Sequence, residues 1–356
     1  PGEDDVFDKV VRTGKSKHVR FVQWDSADDL REKLIAVLVD ELQLSGPEDI
    51  RKFDESLGGK DWNGMRFFNL GAAEQSESWQ ILSPVRTGSH GVPDINRQIH
   101  KQFRQELIDA SRKERWRKYP KPMGPEEIVY GDKVINLVNT DPTLPWNRHR
   151  KVYPDKANPY IANGEIGMAI GFFWKKGLPD LRWKLEVEFS SQPGFKYDFT
   201  SRDFGEEANP VLELAYALTV HKSQGSEFGT VILVLPNPCR MLSRELLYTA
   251  LTRQKNRVVI LHQGARSDLR KYSSDGRSET ARRLTNLFEA PSPITIDGRF
   301  FEENLIHRTA RGEMVRSKSE VIIADRLADL DVEYTYERPL TIEGVTKYPD
   351  FTIEDM

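Results

Sequence analysis

The segment LAYALTVHKSQGSEFGTVILVLP, residues 214–236, decides the fold of this chain. An apolar run ends at Val220, a polar turn with one glycine covers 221–225, and a second apolar run covers 231–235. Short runs of this kind, rich in β-branched residues and bounded by turn residues, indicate buried parallel strands. The turn between them offers backbone N–H groups beside His, Lys, Ser and Gln side chains, which suits contacts to phosphate or sugar.

A helix and a further strand follow in SRELLYTALTR, residues 243–253, and in residues 258–261. Ser243 is a suitable N-cap, because its hydroxyl can accept a hydrogen bond from the first helical turn. The expected buried face of the helix consists of Leu246, Leu247, Ala250 and Leu251. Arg253 lies at the C-terminal end of the helix, where the helix dipole favours a cation.

Two parts of this stretch together resemble a known family. Residues 219–227, TVHKSQGSE, resemble motif V of superfamily 1 DNA helicases, and residues 248–253, YTALTR, resemble motif VI. Taken singly, a histidine in a polar turn is usually solvated and an arginine at a helix end is usually a cap. In combination, the two motifs have the order and spacing of the family, and the RecD-like subgroup is the most similar. The resemblance implies the second of two RecA-like motor domains.

The same resemblance implies ATP and Mg²⁺ as ligands of the full-length protein, held between its two RecA-like domains, and single-stranded or duplex DNA as a partner. Arg253 would be the arginine finger that reaches the γ-phosphate, because arginine stays charged and stabilises the charge on the transferring phosphoryl group. The implied nucleotide contacts are Gln224, Gly225, Glu227 and Arg253, with Glu227 at the ribose. The implied contacts to the DNA backbone are Thr219, His221 and Lys222.

An earlier strand and helix are indicated by WQILSPVRTGSHGVPDIN, residues 79–96. We expect a strand over residues 79–83, then a turn, then a helix beginning at Val92. The segment resembles the part of RecD-like helicases with which the second motor domain touches single-stranded DNA. The matching positions are Ser83 and Arg86, and the alternative for Arg86 is an ordinary exposed turn residue.

The N-terminal part of the chain predicts one more strand and one more helix. Residues 18–24 alternate between apolar and polar side chains, and Ser26 with two acidic residues behind it is a good helix start. A helix over residues 26–43 is indicated by an apolar residue at every fourth position, namely Leu30, Leu34, Leu38 and Leu42. Residues 44–76 are polar and rich in Gly and Asp, and they predict a loop or a small insertion.

The pattern changes to short alternating strands between residues 126 and 204. The expected strands are residues 132–138, 165–173, 183–189 and 196–200. Asn163-Gly164 is typical of a hairpin turn, so we expect a compact antiparallel barrel. The sequences GDKVINLVN and NGEIGMAI resemble the SH3-like insertion of RecD-like helicases, which implies a surface on the DNA strand. A module that serves only packing is the alternative.

The composition shifts again after Pro291. A helix over residues 321–327 and strands at 333–337 and from Tyr348 onward are expected. The arrangement resembles the beginning of a PD-(D/E)XK nuclease, which implies Glu320 and Asp350 as ligands of Mg²⁺ or Mn²⁺. Such ions activate water and stabilise the leaving oxygen. The next element of that family, an acidic residue two positions before a catalytic lysine, would follow Met356.

The composition of the whole chain is that of a polar-surfaced soluble protein. Its 356 residues leave room for two or three domains, with 38% hydrophobic and 30% charged residues. We expect no membrane partner, since no apolar run approaches eighteen residues, and Cys239 as the one cysteine fits a reducing cytoplasm. The net charge of −3 confines any nucleic-acid surface to a local groove.

We therefore expect an α/β fold: a RecA-like parallel sheet with helices on both faces, a small SH3-like β-barrel insertion, and a partial α+β nuclease-like domain. The expected segments are 1–120 (first part of the second RecA-like domain), 121–208 (insertion), 209–265 (remainder, with motifs V and VI), 266–290 (helical connector) and 291–356 (nuclease-like). The phosphate-loop pattern GxxxxGK[ST] is absent, because Gly14-Lys15-Ser16 has Lys9 where that pattern needs glycine.

These expectations lead to one interpretation of function and two alternatives. The chain is expected to be the C-terminal part of an ATP-dependent DNA helicase that is fused to a nuclease. Its ATP site would be completed by an N-terminal RecA-like domain of the same protein, so these residues alone are expected not to hydrolyse ATP. One alternative is a non-catalytic nucleic-acid-binding or scaffold protein with a degenerate helicase-like domain. The other is a nuclease with a helicase-like accessory domain, which requires a strand with the catalytic lysine downstream.

Overall fold

Two compact units make up the chain, residues 1–284 and residues 285–356. The computed structural model describes residues 16–63, 65–113, 121–139, 149–150, 160–170, 184–204, 210–272, 274, 277–278, 307–342 and 345–353. The first unit begins with β1 (Val19–Trp24), α1 (Ala27–Glu41), α2 (Ile50–Ser56), β2 (Lys60–Trp62), β3 (Met65–Phe67), β4 (Trp79–Ser83) and α3 (Val92–Lys113). It continues with β5 (Lys133–Asn136), β6 (His149–Arg150), β7 (Ile166–Ile170), β8 (Lys184–Phe189), β9 (Lys196–Thr200) and β10 (Leu212–Leu214). The last elements described in this unit are β11 (Ala217–Thr219), β12 (Phe228–Leu235), α4 (Arg244–Leu251), β13 (Gln254–Gln263) and α5 (Leu269–Tyr272).

Five parallel strands form one sheet of this unit, in the order β1-β13-β12-β4-β11. The strands β4 and β11 are neighbours, with Thr219 opposite Ser83. On the other side of β4, Ile232 of β12 lies opposite Ile81. The parallel sheet that the segment 214–236 predicts is therefore confirmed.

Both faces of the parallel sheet are buried. Along β12, Ile232 and Val234 belong to one hydrophobic cluster, whereas Val231, Leu233 and Leu235 belong to a second. Because successive side chains of a strand point to opposite faces, the two clusters lie on opposite faces of the sheet. Leucines of α1 and apolar residues of α3 join the first cluster, and residues of α4 and α5 join the second. Helices on both faces are thus confirmed, as expected for a parallel sheet.

A second sheet of the same unit is antiparallel, with six strands in the order β10-β5-β7-β8-β9-β6. Four of its strands coincide with the runs that alternation predicts. Gly164 lies in the turn before β7 with φ +97°, a backbone conformation that favours glycine. Antiparallel pairing in this part of the chain is confirmed, while its likeness to an SH3-like barrel stays a prediction.

The run 214–220 is not one strand. Leu212–Leu214 pairs with β5 in the antiparallel sheet, whereas Ala217–Thr219 pairs with β4 in the parallel sheet. The chain changes sheets at two residues: the amide of Ala215 donates to the Lys133 carbonyl, and the Tyr216 carbonyl accepts from Ile81. Hydrophobicity is uniform across this junction, so the sequence pattern does not reveal it. The antiparallel sheet consequently extends past the expected boundary at residue 208.

Residues 44–76, for which the polar composition predicts a loop or a small insertion, contain α2 and the β2–β3 hairpin. Phe53 of α2 is fully buried, and its ring stacks on that of Phe103 with centroids 3.8 Å apart. Phe68, just after the hairpin, is buried against the Tyr130 ring. The two aromatic residues find their partners on distant segments, which is why local periodicity does not predict these elements.

A buried ionic cluster joins the two sheets. Arg104 of α3 pairs with Asp54 (2.7 Å, Nη1 to Oδ1) and with Asp132 (3.3 Å, Nε to Oδ1). The other Asp132 oxygen lies 2.9 Å from Nε2 of His100, and the Tyr216 hydroxyl donates to Oδ1 at 2.7 Å. Burial raises the pKa of Asp132, but the charges of His100 and Arg104 lower it by more. The pKa of Asp132 is therefore below the ordinary value. We call these five residues the buried cluster.

Lys133 is a second buried connection between the sheets. It belongs to β5, and its ammonium donates to the Trp79 carbonyl of β4 at 2.8 Å. The same nitrogen lies over the rings of Trp79 and Phe228, 5.2 and 5.7 Å from their centroids. Burial lowers the pKa of Lys133 to about 7, against the attraction of Glu77, which raises it.

The second unit is described by itself. It contains β14 (His307–Arg308), β15 (Met314–Val315), α6 (Lys318–Asp329), β16 (Thr335–Tyr336), β17 (Leu340–Ile342), β18 (Val345–Lys347) and β19 (Phe351–Thr352). The strands form three antiparallel pairs: β14 with β15, β16 with β19, and β17 with β18. The predicted helix and two predicted strands are therefore present. Across the residues given above for both units, no helix has the length and apolar character needed to cross a membrane.

Candidate nucleic-acid and nucleotide interface

The turns that follow β4 and β11 lie side by side. Because these strands are parallel neighbours with Ser83 opposite Thr219, the segments that leave them emerge at the same edge of the sheet. The Val220 amide also donates to the Ser83 carbonyl. The structure therefore brings together the two segments from which the sequence predicts DNA contacts, although they are more than a hundred residues apart in the chain.

The turn after β4 is held by Ser83 and presents Arg86. The Ser83 hydroxyl is buried and donates to the His90 carbonyl at 2.8 Å, which closes the turn. Glycine is required at position 91, because a Cβ there would lie only 2.4 Å from the Arg86 carbonyl oxygen. The Arg86 side chain is 60% exposed. Of the two predicted DNA contacts, Arg86 faces solvent and Ser83 instead positions the turn.

The turn after β11 is organised in the same way. Thr219 is largely buried, and its hydroxyl accepts from the Lys222 amide at 3.2 Å. Ser223 is buried and donates to the Val220 carbonyl, and Gly225 has φ +88°. His221, Gln224 and Gly225 are exposed. The side chain of Thr219 thus shapes the turn, while those of His221 and Gln224 are open to a ligand.

Glu213 links the two turns, and the sequence interpretation missed it. Its carboxylate lies 3.0 Å from Nζ of Lys222 and 3.7 Å from Nη2 of Arg86. We call Arg86, Glu213 and Lys222 the edge cluster. In the sequence Glu213 is only the polar residue of a three-residue strand, and nothing local indicates that it meets Arg86.

A cavity of about 640 Å³ lies between the turn after β11 and turns of the antiparallel sheet. His221, Lys222, Gln224 and Ser226 line it from one side, and residues 163–166 and 190–191 from the other. The Ser190 hydroxyl donates to Glu77 at 2.7 Å. The lining is rich in hydroxyl, amide and charged groups, which is suited to a polar ligand and not to an apolar one.

Arg253 contacts the far end of the connection between β11 and β12. Ser243 caps α4 by accepting from the Leu246 amide, as predicted, and the helix ends at Leu251. The Arg253 guanidinium donates to the carbonyls of Thr249 and Ser226, each at 3.2 Å. The backbone segment that carries His221 and Lys222 therefore ends in direct contact with the predicted arginine finger. Glu227 follows Ser226 in the sequence. Its side chain is 62% exposed, and its carboxylate lies 3.8 Å from Nζ of Lys255.

In the second unit, Glu320 is engaged in local hydrogen bonds. Its carboxylate accepts from the hydroxyls of Ser317 and Tyr336, each at 2.6 Å, and from the Arg316 amide at 3.0 Å. Partial burial raises the pKa of Glu320, but the bonds from Ser317 and Tyr336 bring it below the ordinary value. Asp350 is exposed, and its carbonyl accepts from the Glu337 amide. Within the described ranges, no three His, Cys, Asp or Glu side chains are grouped so as to hold a metal ion.

Comparison with known proteins points to one class of protein. Residues 214–261 match the model of the UvrD-like helicase C-terminal domain. An uncharacterized protein of Methanocaldococcus jannaschii is 30% identical over 299 residues, which cover 83% of this chain and 23% of that protein. The ATP-dependent RecD2 DNA helicase of Deinococcus radiodurans is 62% identical over 179 residues, covering 50% of this chain and 19% of the relative. Residues 214–261 are thus similar to the C-terminal domain of UvrD-like helicases, and half of this chain is similar to part of a RecD2 DNA helicase.

A solved structure gives a weaker likeness. The Pif1 helicase from Bacteroides in complex with ADP-AlF3 and ssDNA is 16% identical, covering 68% of this chain and 50% of that one, with a TM-score of 0.28. The chain spans about a quarter or less of the length of the two curated relatives.

Proposed function

We propose that this chain supplies the second motor domain of an ATP-dependent DNA helicase or translocase. Single-stranded DNA would cross the edge of the parallel sheet at the turns after β4 and β11. ATP with Mg²⁺ would be gripped between this domain and a first RecA-like domain, which carries the phosphate loop. The observation that carries the proposal is the convergence of both predicted DNA-contact segments at one sheet edge, joined by Glu213.

The DNA face would use Arg86, Lys222 and His221. Arginine and lysine are the side chains that neutralise backbone phosphates, and two exposed or half-exposed cations on adjacent turns match a phosphate chain better than isolated charges do. The polar cavity beside His221 offers space for a sugar or a base. The antiparallel sheet on its far side would then be the SH3-like insertion and would hold the same strand.

The nucleotide face would use Arg253, Gln224, Gly225 and Glu227. In the present arrangement the Arg253 guanidinium is held by the carbonyls of Thr249 and Ser226, so it would have to release these bonds to reach a γ-phosphate. Ser226 belongs to the same connection as His221 and Lys222. A shift of this connection on DNA binding would move the Arg253 partner, which offers a direct route from the DNA to the ATP.

The deciding experiment measures fluorescence anisotropy of a labelled oligo-dT strand with the full 356-residue chain over a salt series. We expect Arg86→Ala and Lys222→Ala each to weaken binding and to reduce the slope of log K against log salt by about 0.7. Arg31→Ala is the matched control, because Arg31 is 55% exposed and pairs with Asp28 on a different element. Equal binding by wild type, both variants and the control would refute this DNA face.

A second measurement separates motor from binding protein. In a complete motor, loss of an arginine finger costs about 10³–10⁵ in turnover. The 356-residue chain contains no GxxxxGK[ST] sequence, so we expect it to show no ATP hydrolysis above background, with or without DNA. DNA-stimulated ATPase activity that Arg253→Ala abolishes would contradict this part of the proposal. DNA binding together with an intact upstream motor domain in the parent protein would exclude the scaffold alternative.

For the second unit, the nuclease interpretation stays a prediction. Glu320 and Asp350 would hold Mg²⁺ or Mn²⁺, and the ion would have to replace the Ser317 and Tyr336 hydrogen bonds of Glu320. Titration with Mn²⁺ by calorimetry tests it, with Glu320→Gln as the variant that should lose binding. Equal heats for the two chains would count against the site.

A further inference from the structure

The edge cluster has an arrangement that binding alone does not require. Glu213 places one carboxylate oxygen on each of two cations, Oε1 towards Arg86 and Oε2 towards Lys222. We propose that Glu213 is an internal competitor for the DNA phosphate, a carboxylate that occupies Arg86 and Lys222 until a phosphate replaces it. This inference rests on the proposed function, because it concerns the same two cations.

The chemistry of the two anions makes replacement possible. A carboxylate and a phosphate diester each offer two anionic oxygens, and both accept hydrogen bonds from guanidinium and ammonium groups. The three side chains are 60%, 26% and 28% exposed for Arg86, Glu213 and Lys222. Ion pairs that are open to solvent to this extent are weak and are screened by salt, so an incoming phosphate can compete for their cations.

The backbone around Glu213 is fixed, whereas the cations are on long side chains that leave turns. Glu213 lies in β10, opposite Ile135 of β5. The next residue, Leu214, donates its amide to Glu126 at 2.6 Å, and its carbonyl accepts from Asn96 at 2.9 Å. Glu213 therefore stays at the sheet edge after its partners leave. Its negative charge then repels the phosphate that has bound Arg86 and Lys222.

This asymmetry predicts the sign of the effect. If Glu213 competes with DNA, then Glu213→Gln removes the competing charge from both cations and tightens binding by about 5-fold at low salt. If Glu213 instead holds the cations in the orientation that DNA needs, the same change weakens binding. The gain should shrink as salt is raised, because the interaction is screened.

The test is the oligo-dT anisotropy assay with the full chain at low salt. Glu213→Gln is compared with wild type and with Asp28→Asn, which removes the carboxylate of the exposed pair with Arg31 and controls for net charge. The double variant Glu213→Gln with Lys222→Ala should lose most of the gain. Thermal unfolding of each variant verifies that it is folded.

The outcomes separate the inference from the function on which it rests. Tighter binding by Glu213→Gln, with no change for Asp28→Asn, supports the inference. Unchanged or weaker binding by Glu213→Gln, while Arg86→Ala and Lys222→Ala still weaken it, overturns the inference and leaves the DNA face intact. An equal gain for Asp28→Asn also overturns it, since net charge then suffices. Failure of Arg86→Ala and Lys222→Ala to change binding removes the DNA face and the inference together.

Discussion

The buried cluster and the edge cluster both link the parallel sheet to the antiparallel sheet, but they differ in burial. In the buried cluster the paired side chains are 0–7% exposed, and the central carboxylate, Asp132, is held by His100, Arg104 and Tyr216. In the edge cluster the central carboxylate, Glu213, meets two cations that are 60% and 28% exposed. The same kinds of charge are therefore withdrawn from water at one place and accessible to it at the other.

The difference in burial determines how much stability is lost when an ion pair is broken. Removing one partner of a buried ion pair destabilises a protein by about 3–5 kcal/mol, because the other partner is left as an uncompensated charge away from water. An exposed pair contributes only about 0–1 kcal/mol, so its partners can be exchanged for a ligand at little loss of stability. The buried cluster fixes how the two sheets meet, and the edge cluster leaves its cations available.

The largest effect is expected when the buried carboxylate is neutralised. Asp132→Asn leaves Arg104 and His100 without the charge they share, so we expect the free energy of unfolding to fall by about 3–5 kcal/mol. Urea unfolding at neutral pH measures this. Asp94→Asn, which removes the carboxylate of a surface pair with Arg97, is the control and should change stability little. A loss under 1 kcal/mol for Asp132→Asn would mean that the two clusters do not differ as burial suggests.

Lys133 sharpens the comparison, because it is a buried cation whose pKa is lowered to about 7 from the ordinary 10.5. Between these values the unfolded chain holds the proton and the folded chain does not, so stability rises with pH from about 7 to 10.5 and is flat below. Relative to Lys133→Met, the wild type should gain about 2–3 kcal/mol between pH 7 and pH 9.

Unfolding by urea at pH 7, 8 and 9 checks this prediction. Lys101→Met is the control, since Lys101 is exposed on α3, and it should show the pH dependence of the wild type. Parallel pH curves for the wild type and Lys133→Met would show that Lys133 keeps its charge when buried.

A smaller effect is expected for the hydroxyl of the buried cluster. Tyr216→Phe removes the hydroxyl that donates to Asp132 at 2.7 Å, so the buried carboxylate has one hydrogen bond fewer. We expect the free energy of unfolding to fall by about 1–2 kcal/mol. Thermal unfolding measures it, with Tyr248→Phe on the exposed surface of α4 as control. Equal melting temperatures for the two variants would argue that the Tyr216 bond contributes nothing net.

The smallest change in stability is expected at the edge. Glu213→Gln should lower the free energy of unfolding by less than about 1 kcal/mol, because both of its ion pairs are open to water. The same urea experiment measures it beside Asp132→Asn. A loss as large as that of Asp132→Asn would place Glu213 among the structural residues and erase the distinction between the clusters.

Sequence reasoning succeeded where a periodic pattern depended on neighbouring residues. The leucines of α1, the Ser243 cap and the strand over residues 79–83 could each be predicted, because hydrophobic spacing and capping act within a few residues. It did not reveal the helix and the hairpin within 44–76, where Phe53 and Phe68 are buried by partners on distant segments. It also failed to find the change of sheets at Ala215 and Tyr216.

The candidate site divides in the same way. The turns that carry Arg86, His221 and Lys222 were predicted from their sequence, but the buried positions of Ser83 and Thr219 were not. A polar residue at a strand end can face either solvent or its own turn, and only the packed turn decides between them. The hydrogen bonds of Ser83 and Thr219 shape the two turns, and their contact with DNA stays a prediction.

By itself, the sequence determined the class of fold, the two motifs and the residue types at the sheet edge, since each depends on short-range pattern and chemistry. Only the tertiary structure decided which charges meet. Asp132 is joined to Tyr216, and Glu213 to Arg86, across long stretches of chain. Ion pairs and burial depend on distances in space, and a linear pattern holds no information about distance between segments that fold against each other from afar.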